Sequence, residues 1–122
     1  MQHDQAGSME ACAKICHECE DECLRTIVHC LELGGEHASK HHQTILADCA
    51  AICAVSHNVL HRQSPLHIHT CRACAAICAA CADECEKMSG RARGGAADPM
   101  ARCAATCRRC AESCEAMAGA PH

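Results

Sequence analysis

Apolar positions recur along this chain with the period of a helix, and the apolar side of each helix is written largely in cysteine. From Cys71 onward, Cys71, Cys74, Cys78, Cys81 and Cys85 follow at steps of three, four, three and four. At about 100° of rotation per residue, these five sulfurs fall within an arc of roughly 80° and form one continuous seam. The four, three, four spacing recurs at Cys12, Cys16, Cys19, Cys23 and at Cys103, Cys107, Cys110, Cys114, so one helical unit is written three times.

The pattern predicts four helices in one domain spanning residues 1–122, over about residues 9–33, 36–62, 65–89 and 99–117. Ser8 reads as the first N-cap, and the first seam continues to Cys30 after a gap at Thr26 and Ile27. Leu24, Val28 and Leu31 lie beside that seam, as a second apolar strip for a neighbouring helix or another subunit. The second helix is the most conventional, with His42, Ile45, Leu46, Cys49, Ile52, Cys53, Ser56, Val59 and Leu60 on its inner side. Ser64-Pro65 and Asp98-Pro99 both read as an N-cap followed by a proline at the first helical position. Residues 90–97 form a basic, glycine-rich connection that is expected to be solvated. Four helices of similar length on short connections give an all-α fold, an antiparallel up-down-up-down four-helix bundle with a Cys-lined core.

Composition changes the picture of that core. The 122 residues include sixteen Cys and no Phe, Tyr or Trp. The interior is therefore narrow and built of sulfur and alanine, and so thin a core calls for a metal, disulfides or oligomerisation. A formal net charge of -4 and the missing aromatics give nucleic acid neither a basic surface nor a stacking platform. Residues 1–8 lack the basic and apolar regions of an export signal, and no run approaches the roughly 18 apolar residues of a membrane span. A cytoplasmic protein without a membrane partner is expected.

Thiols as mere small hydrophobes would explain one buried cysteine but not sixteen on coincident seams, since Ala and Val pack as well without the oxidation hazard. A disulfide framework is disfavoured, because seam Cβ atoms on one helix stand about 5–6 Å apart, beyond the roughly 3.5–4.5 Å that a disulfide needs. Zinc in all-cysteine sites carries two net negative charges per ion, and the seams hold no Lys or Arg to offset them. Cu(I) replaces one thiol proton with one monovalent ion and leaves the interior neutral, and soft thiolates select it. The spacing of a ferredoxin cluster is absent. Nor is a redox enzyme expected: reactive thiols sit partly exposed near positive charge, and no nucleophile, base and orienting group can be assembled from the sequence.

The candidate metal ligands are Cys12, Cys16, Cys19, Cys23, Cys30, Cys49, Cys53, Cys71, Cys74, Cys78, Cys81, Cys85, Cys103, Cys107, Cys110 and Cys114. One end of the expected tube adds Met9, His61, His67, His69 and Met117, with His57 nearby. Imidazole and thioether hold Cu(I) more weakly than thiolate, so this end is the expected entrance. The other end gathers Cys30, His37, His41, His42, Met88 and Met100, and reads as either a second mouth or a plug.

The seams, the four-helix reading and the His67-x-His69-x-Cys71 run resemble the bacterial copper-storage proteins of the cytosolic type, over residues 9–117. That resemblance implies a tube storing multiple Cu(I) ions, a homo-oligomer, most simply a tetramer, and a copper chaperone or efflux partner. It also implies copper on the pairs Cys12/Cys16, Cys19/Cys23, Cys49/Cys53, Cys74/Cys78, Cys81/Cys85, Cys103/Cys107 and Cys110/Cys114. The second helix, with only two cysteines, departs from the pattern. The alternative function is a structural or interaction bundle stabilised by a few Zn(II) ions.

Overall fold

The computed structural model describes residues 2–89 and 98–119, with side chains from residue 7 onward. Four α-helices follow one another: α1 (Gln2–Leu33), α2 (Lys40–His61), α3 (His67–Met88) and α4 (Pro99–Gly119). Each packs on the next, and α4 returns to α1, which closes the four-helix bundle. Directions alternate, as the sulfur contacts record: Cys12 near the start of α1 meets Cys114 near the end of α4, whereas Cys23 meets Cys107. The basic connection over residues 90–97 lies outside the described residues.

Each helix end has a local cause. α1 stops at Gly34 and Gly35, whose positive φ angles of 73° and 58° suit residues without a Cβ, and Gly34 N–H donates to the Cys30 carbonyl at 3.1 Å. A 3₁₀ turn, Gly35–Ala38, then precedes α2, so α2 starts four residues later than the pattern predicts. Its N-cap is Ser39, whose Oγ accepts from His42 N–H at 3.2 Å. Two further predicted starts move. Ser8 lies inside α1, which begins at Gln2, and Ser64-Pro65 form a turn ahead of α3 rather than its first residues. Ser64 still organises that turn, accepting through Oγ from Leu66 N–H and through its carbonyl from His67 N–H.

Asp98 caps α4 as predicted: Oδ1 accepts from Met100 N–H at 3.0 Å and Oδ2 from the Ser89 hydroxyl at 2.9 Å. The side chain thus ties the end of α3 to the start of α4. Asp98→Ala is expected to destabilise the apo-protein by about 0.5–2 kcal/mol, read as a lowered denaturant midpoint.

The core is as thin as the composition implies. Among the described residues, Leu46, Leu60 and Met100 are the largest fully buried side chains, and sulfur and alanine fill most of the rest. Small side chains let the helices approach until thiols on diagonal helices touch: Cys49 and Cys53 of α2 reach Cys107 and Cys110 of α4, each at 3.9 Å. Against the sequence expectation, α2 holds an 18-residue stretch, mean hydropathy 1.2, that is long and apolar enough to cross a membrane by length and composition alone. In the bundle it turns Leu46, Cys49, Ala50, Cys53 and Leu60 into the shared core.

Candidate metal centre

All sixteen cysteines are buried and unbridged, fifteen with no exposed surface and Cys12 with 2%. Neighbouring thiols stand 3.5 to 4.0 Å apart, sulfur to sulfur, across helix interfaces and within single helices. These are thiol hydrogen-bond distances, far beyond a covalent S–S bond. Cys16 and Cys12 lie 3.5 and 3.8 Å from Cys114, Cys53 lies 3.6 Å from Cys78, and Cys74 and Cys78 approach within one helix at 3.7 Å.

Several of these sulfurs gather into groups whose members all lie within 4.8 Å of one another. In order along the tube they are Cys12, Cys71 and Cys114; Cys16, Cys74, Cys110 and Cys114; Cys19, Cys53, Cys78 and Cys110; Cys19, Cys23, Cys49 and Cys107; and Cys23, Cys81, Cys103 and Cys107. Successive groups share corners. Cys114 joins the first to the second, Cys110 the second to the third, Cys19 the third to the fourth, and Cys23 with Cys107 the fourth to the fifth. The third group takes one cysteine from each helix, so the two cysteines of α2 are enough to complete the wall. The shared corners call for bridging thiolates, which suits an ion that accepts few ligands and soft sulfur.

Neighbouring thiols and burial hold protons within the ladder. Cys23, donating into the same cluster, is pushed up, with Cys103 as the first cause. Metal ions compete for these thiol protons, so uptake releases acid.

The ends divide the predicted non-sulfur ligands. Met9, His67 and Met117 are buried, whereas His61 and His69 are exposed. His67, the first residue of α3, turns its ring inward while His69 two residues on is exposed, and the His67 Nδ1 donates to the Ser64 carbonyl at 2.8 Å. The His61 ring stands 5.8 Å from that of His57, whose Nε2 lies 2.8 Å from Glu20 Oε1 on α1. These two histidines therefore belong to the outer groove between α1 and α2.

At the opposite end, Cys30 Sγ lies 3.3 Å from His42 Nε2, and His42 Nδ1 lies 2.9 Å from Glu84 Oε2. Here the structure corrects the sequence reading, since it assembles a thiol, an imidazole and an orienting carboxylate where none was foreseen. Glu84 was missed although it stands three residues after Cys81, on the same side of α3. The arrangement lacks the setting of a reactive cysteine, because burial, then the charge of Cys103, pushes the Cys30 thiol up to about 11.

Comparison with known proteins follows the geometry. A family model described as copper storage protein matches residues 4–119. A crystal structure of a protein from Nitrosospira multiformis is 39% identical, with a TM-score of 0.81, covering 92% of this chain and 95% of that one. A Cu(I)-bound copper storage protein of Bacillus subtilis is 33% identical, with a TM-score of 0.79, covering 92% and 99%. A cytosolic copper storage protein from Streptomyces lividans, loaded with five coppers, is 25% identical, with a TM-score of 0.84 and coverage of 98% and 99%. Sixteen buried thiols in a four-helix tube and a family match over nearly the whole chain place it in the copper storage protein family.

Proposed function

We propose that this protein stores Cu(I), binding many cuprous ions through its core thiolates. The observation that carries this reading is the overlap of the sulfur groups. Shared corners from Cys114 to Cys107 favour a continuous row of bridged ions over a few separate ones. Charge points the same way: each thiol proton exchanged for Cu(I) leaves a neutral core, whereas a zinc ion on four thiolates adds two negative charges in a dry interior. All sixteen cysteines act as ligands, and Met9, His67 and Met117 form an inner entrance, with His69 and His61 as outer contacts.

The role is storage rather than catalysis, in keeping with the family. The cytoplasm is the proposed compartment, by likeness to the Streptomyces protein described as cytosolic. Leu24, Val28 and Leu31, exposed at 49%, 58% and 56% along α1, supply an apolar strip for self-association, by family resemblance as a tetramer. A copper chaperone or efflux protein is the proposed donor or acceptor of the ion.

Anaerobic titration of the reduced apo-protein tests the reading. Uptake of about one Cu(I) per thiol, with about one proton released per ion, is expected from proton-for-copper exchange. Tight binding of a few Zn(II) ions with weak Cu(I) uptake would support the structural-zinc alternative instead.

A further inference from the structure

The α1 seam does not run unbroken into the far end of the tube. Thr26 occupies the turn after Cys23; it is buried, and its hydroxyl donates to the Glu22 carbonyl at 2.7 Å. Cys30 follows two turns beyond Cys23, about 10 Å along the axis. Its thiol meets the imidazole of His42, itself only 1% exposed.

The partners of His42 fix its tautomer. A carboxylate only accepts hydrogen bonds, so Nδ1 carries the proton toward Glu84, and in the neutral ring Nε2 presents its lone pair to Cys30. A carboxylate behind a histidine, with the other ring nitrogen facing a thiol, is the form in which proteins orient a metal-binding imidazole. A second imidazole stands beside it. The His37 ring lies 6.0 Å from that of His42 at 81°, and His37 is 8% exposed. Its Nε2 is buried without a hydrogen-bond partner. An orphaned ring nitrogen costs free energy unless something binds it. The 3₁₀ turn that carries His37 is held in place by Gln43, whose Nε2 donates to the His37 carbonyl at 3.1 Å.

We infer that the far end of the tube holds a separate site for a single soft cation, Cu(I), ligated by Cys30 Sγ, His42 Nε2 and His37 Nε2, with Glu84 as its positioning residue. The inference rests on the Cu(I)-storage reading and extends it to an ion of different character. In the binding step the Cys30 S–H bond breaks and an S–Cu bond forms. The proton passes to water or buffer, and no electron is transferred. One thiolate holds this ion where bridging thiolates hold those of the ladder, so it exchanges first with an outside acceptor. The far end is thus a port and not a plug.

The test uses the full chain, reduced, saturated with Cu(I) without oxygen, and challenged with a cuprous chelator. Wild type should lose about one ion per chain in a fast phase ahead of the rest, since soft thiolates retain Cu(I) better than a mixed set. X-ray absorption at the copper edge should show nitrogen scattering. Cys30→Ser and His42→Asn should each remove the fast phase and reduce the nitrogen component, while His57→Gln, on the outer groove, leaves both unchanged. Glu84→Gln keeps the ligands and should weaken the terminal ion by roughly 10–100-fold. That variant carries the test if His42→Asn does not retain its helical circular dichroism. A fast phase that survives Cys30→Ser with the nitrogen component undiminished, or a Glu84→Gln protein with wild-type release, would overturn the site. A chain that fills its sulfur ladder but shows neither feature overturns this inference alone; one that takes up few Cu(I) ions overturns the storage reading as well.

Discussion

Saturation with Cu(I) is expected to raise the unfolding free energy of this protein by more than any single substitution lowers it. Each ion bound to the folded state alone, at about 1,000 times its dissociation constant, contributes about 4.1 kcal/mol. Several such ions exceed the roughly 5–15 kcal/mol that stabilises an ordinary domain. The unfolded chain keeps its thiols and binds some copper, which reduces the increment. It does not keep Cys19, Cys53, Cys78 and Cys110, from four different helices, within 4.8 Å of one another, so the shared sites exist only in the bundle. Copper is not needed to form the helices. Ser39 and Asp98 cap their termini, alanine favours the helical state, and protonated thiols pack without charge. Far-ultraviolet circular dichroism should therefore show a helical apo-protein, with a denaturant midpoint well below that of the loaded form. Coincident unfolding curves, or an apo-protein without helix, would contradict this.

The second large effect falls on leucine, not cysteine. Leu46 is fully buried in a core that has few large side chains to close around a gap. Leu46→Ala should destabilise the apo-protein by about 2–5 kcal/mol, toward the upper part of that range because rigid helices in close contact collapse poorly onto a cavity. Cys53→Ala removes one sulfur atom and should cost apo stability less, while it removes a ligand that Leu46→Ala leaves in place. The pair thus separates packing from metal capacity. Leu46→Ala should unfold early when apo yet still fill with Cu(I), and a denaturant midpoint unchanged by Leu46→Ala would contradict the packing account.

Much of this was legible in the sequence because helix period and chemistry coincide. A cysteine at every third or fourth position specifies both the buried side of a helix and what that side carries. Of the inner positions that the pattern assigns to α2, His42, Leu46, Cys49, Cys53, Ser56 and Leu60 are buried, whereas Ile45, Ile52 and Val59 are only partly so. Helix starts were less legible, since Ser8 has the chemistry of an N-cap but α1 runs on through it to Gln2. Ser64-Pro65 has the residues of a helix start, yet its turn places the first helical residue at His67.

The site was legible in kind and not in detail. Spacing along one helix predicts pairs, but the overlap of sulfur groups depends on how near diagonal helices approach, which follows from the absence of bulky residues across the whole core. Glu84 was overlooked because a carboxylate among cysteines reads as surface charge until His42 is found opposite it. His61 and His69 share an end with His67 in the helix order but face outward, and helix ends, where the regular pattern stops, are what a sequence determines least.

Anomalous diffraction at the copper edge, from crystals of the Cu(I)-loaded protein, tests the central claim most directly. The account predicts a row of copper peaks inside the bundle, from the level of Cys12, Cys71 and Cys114 to that of Cys23, Cys81, Cys103 and Cys107, with adjacent ions bridged by Cys114, Cys110 and Cys19. A few isolated peaks, each with four sulfurs of its own, or copper confined to the outer surface, would contradict it.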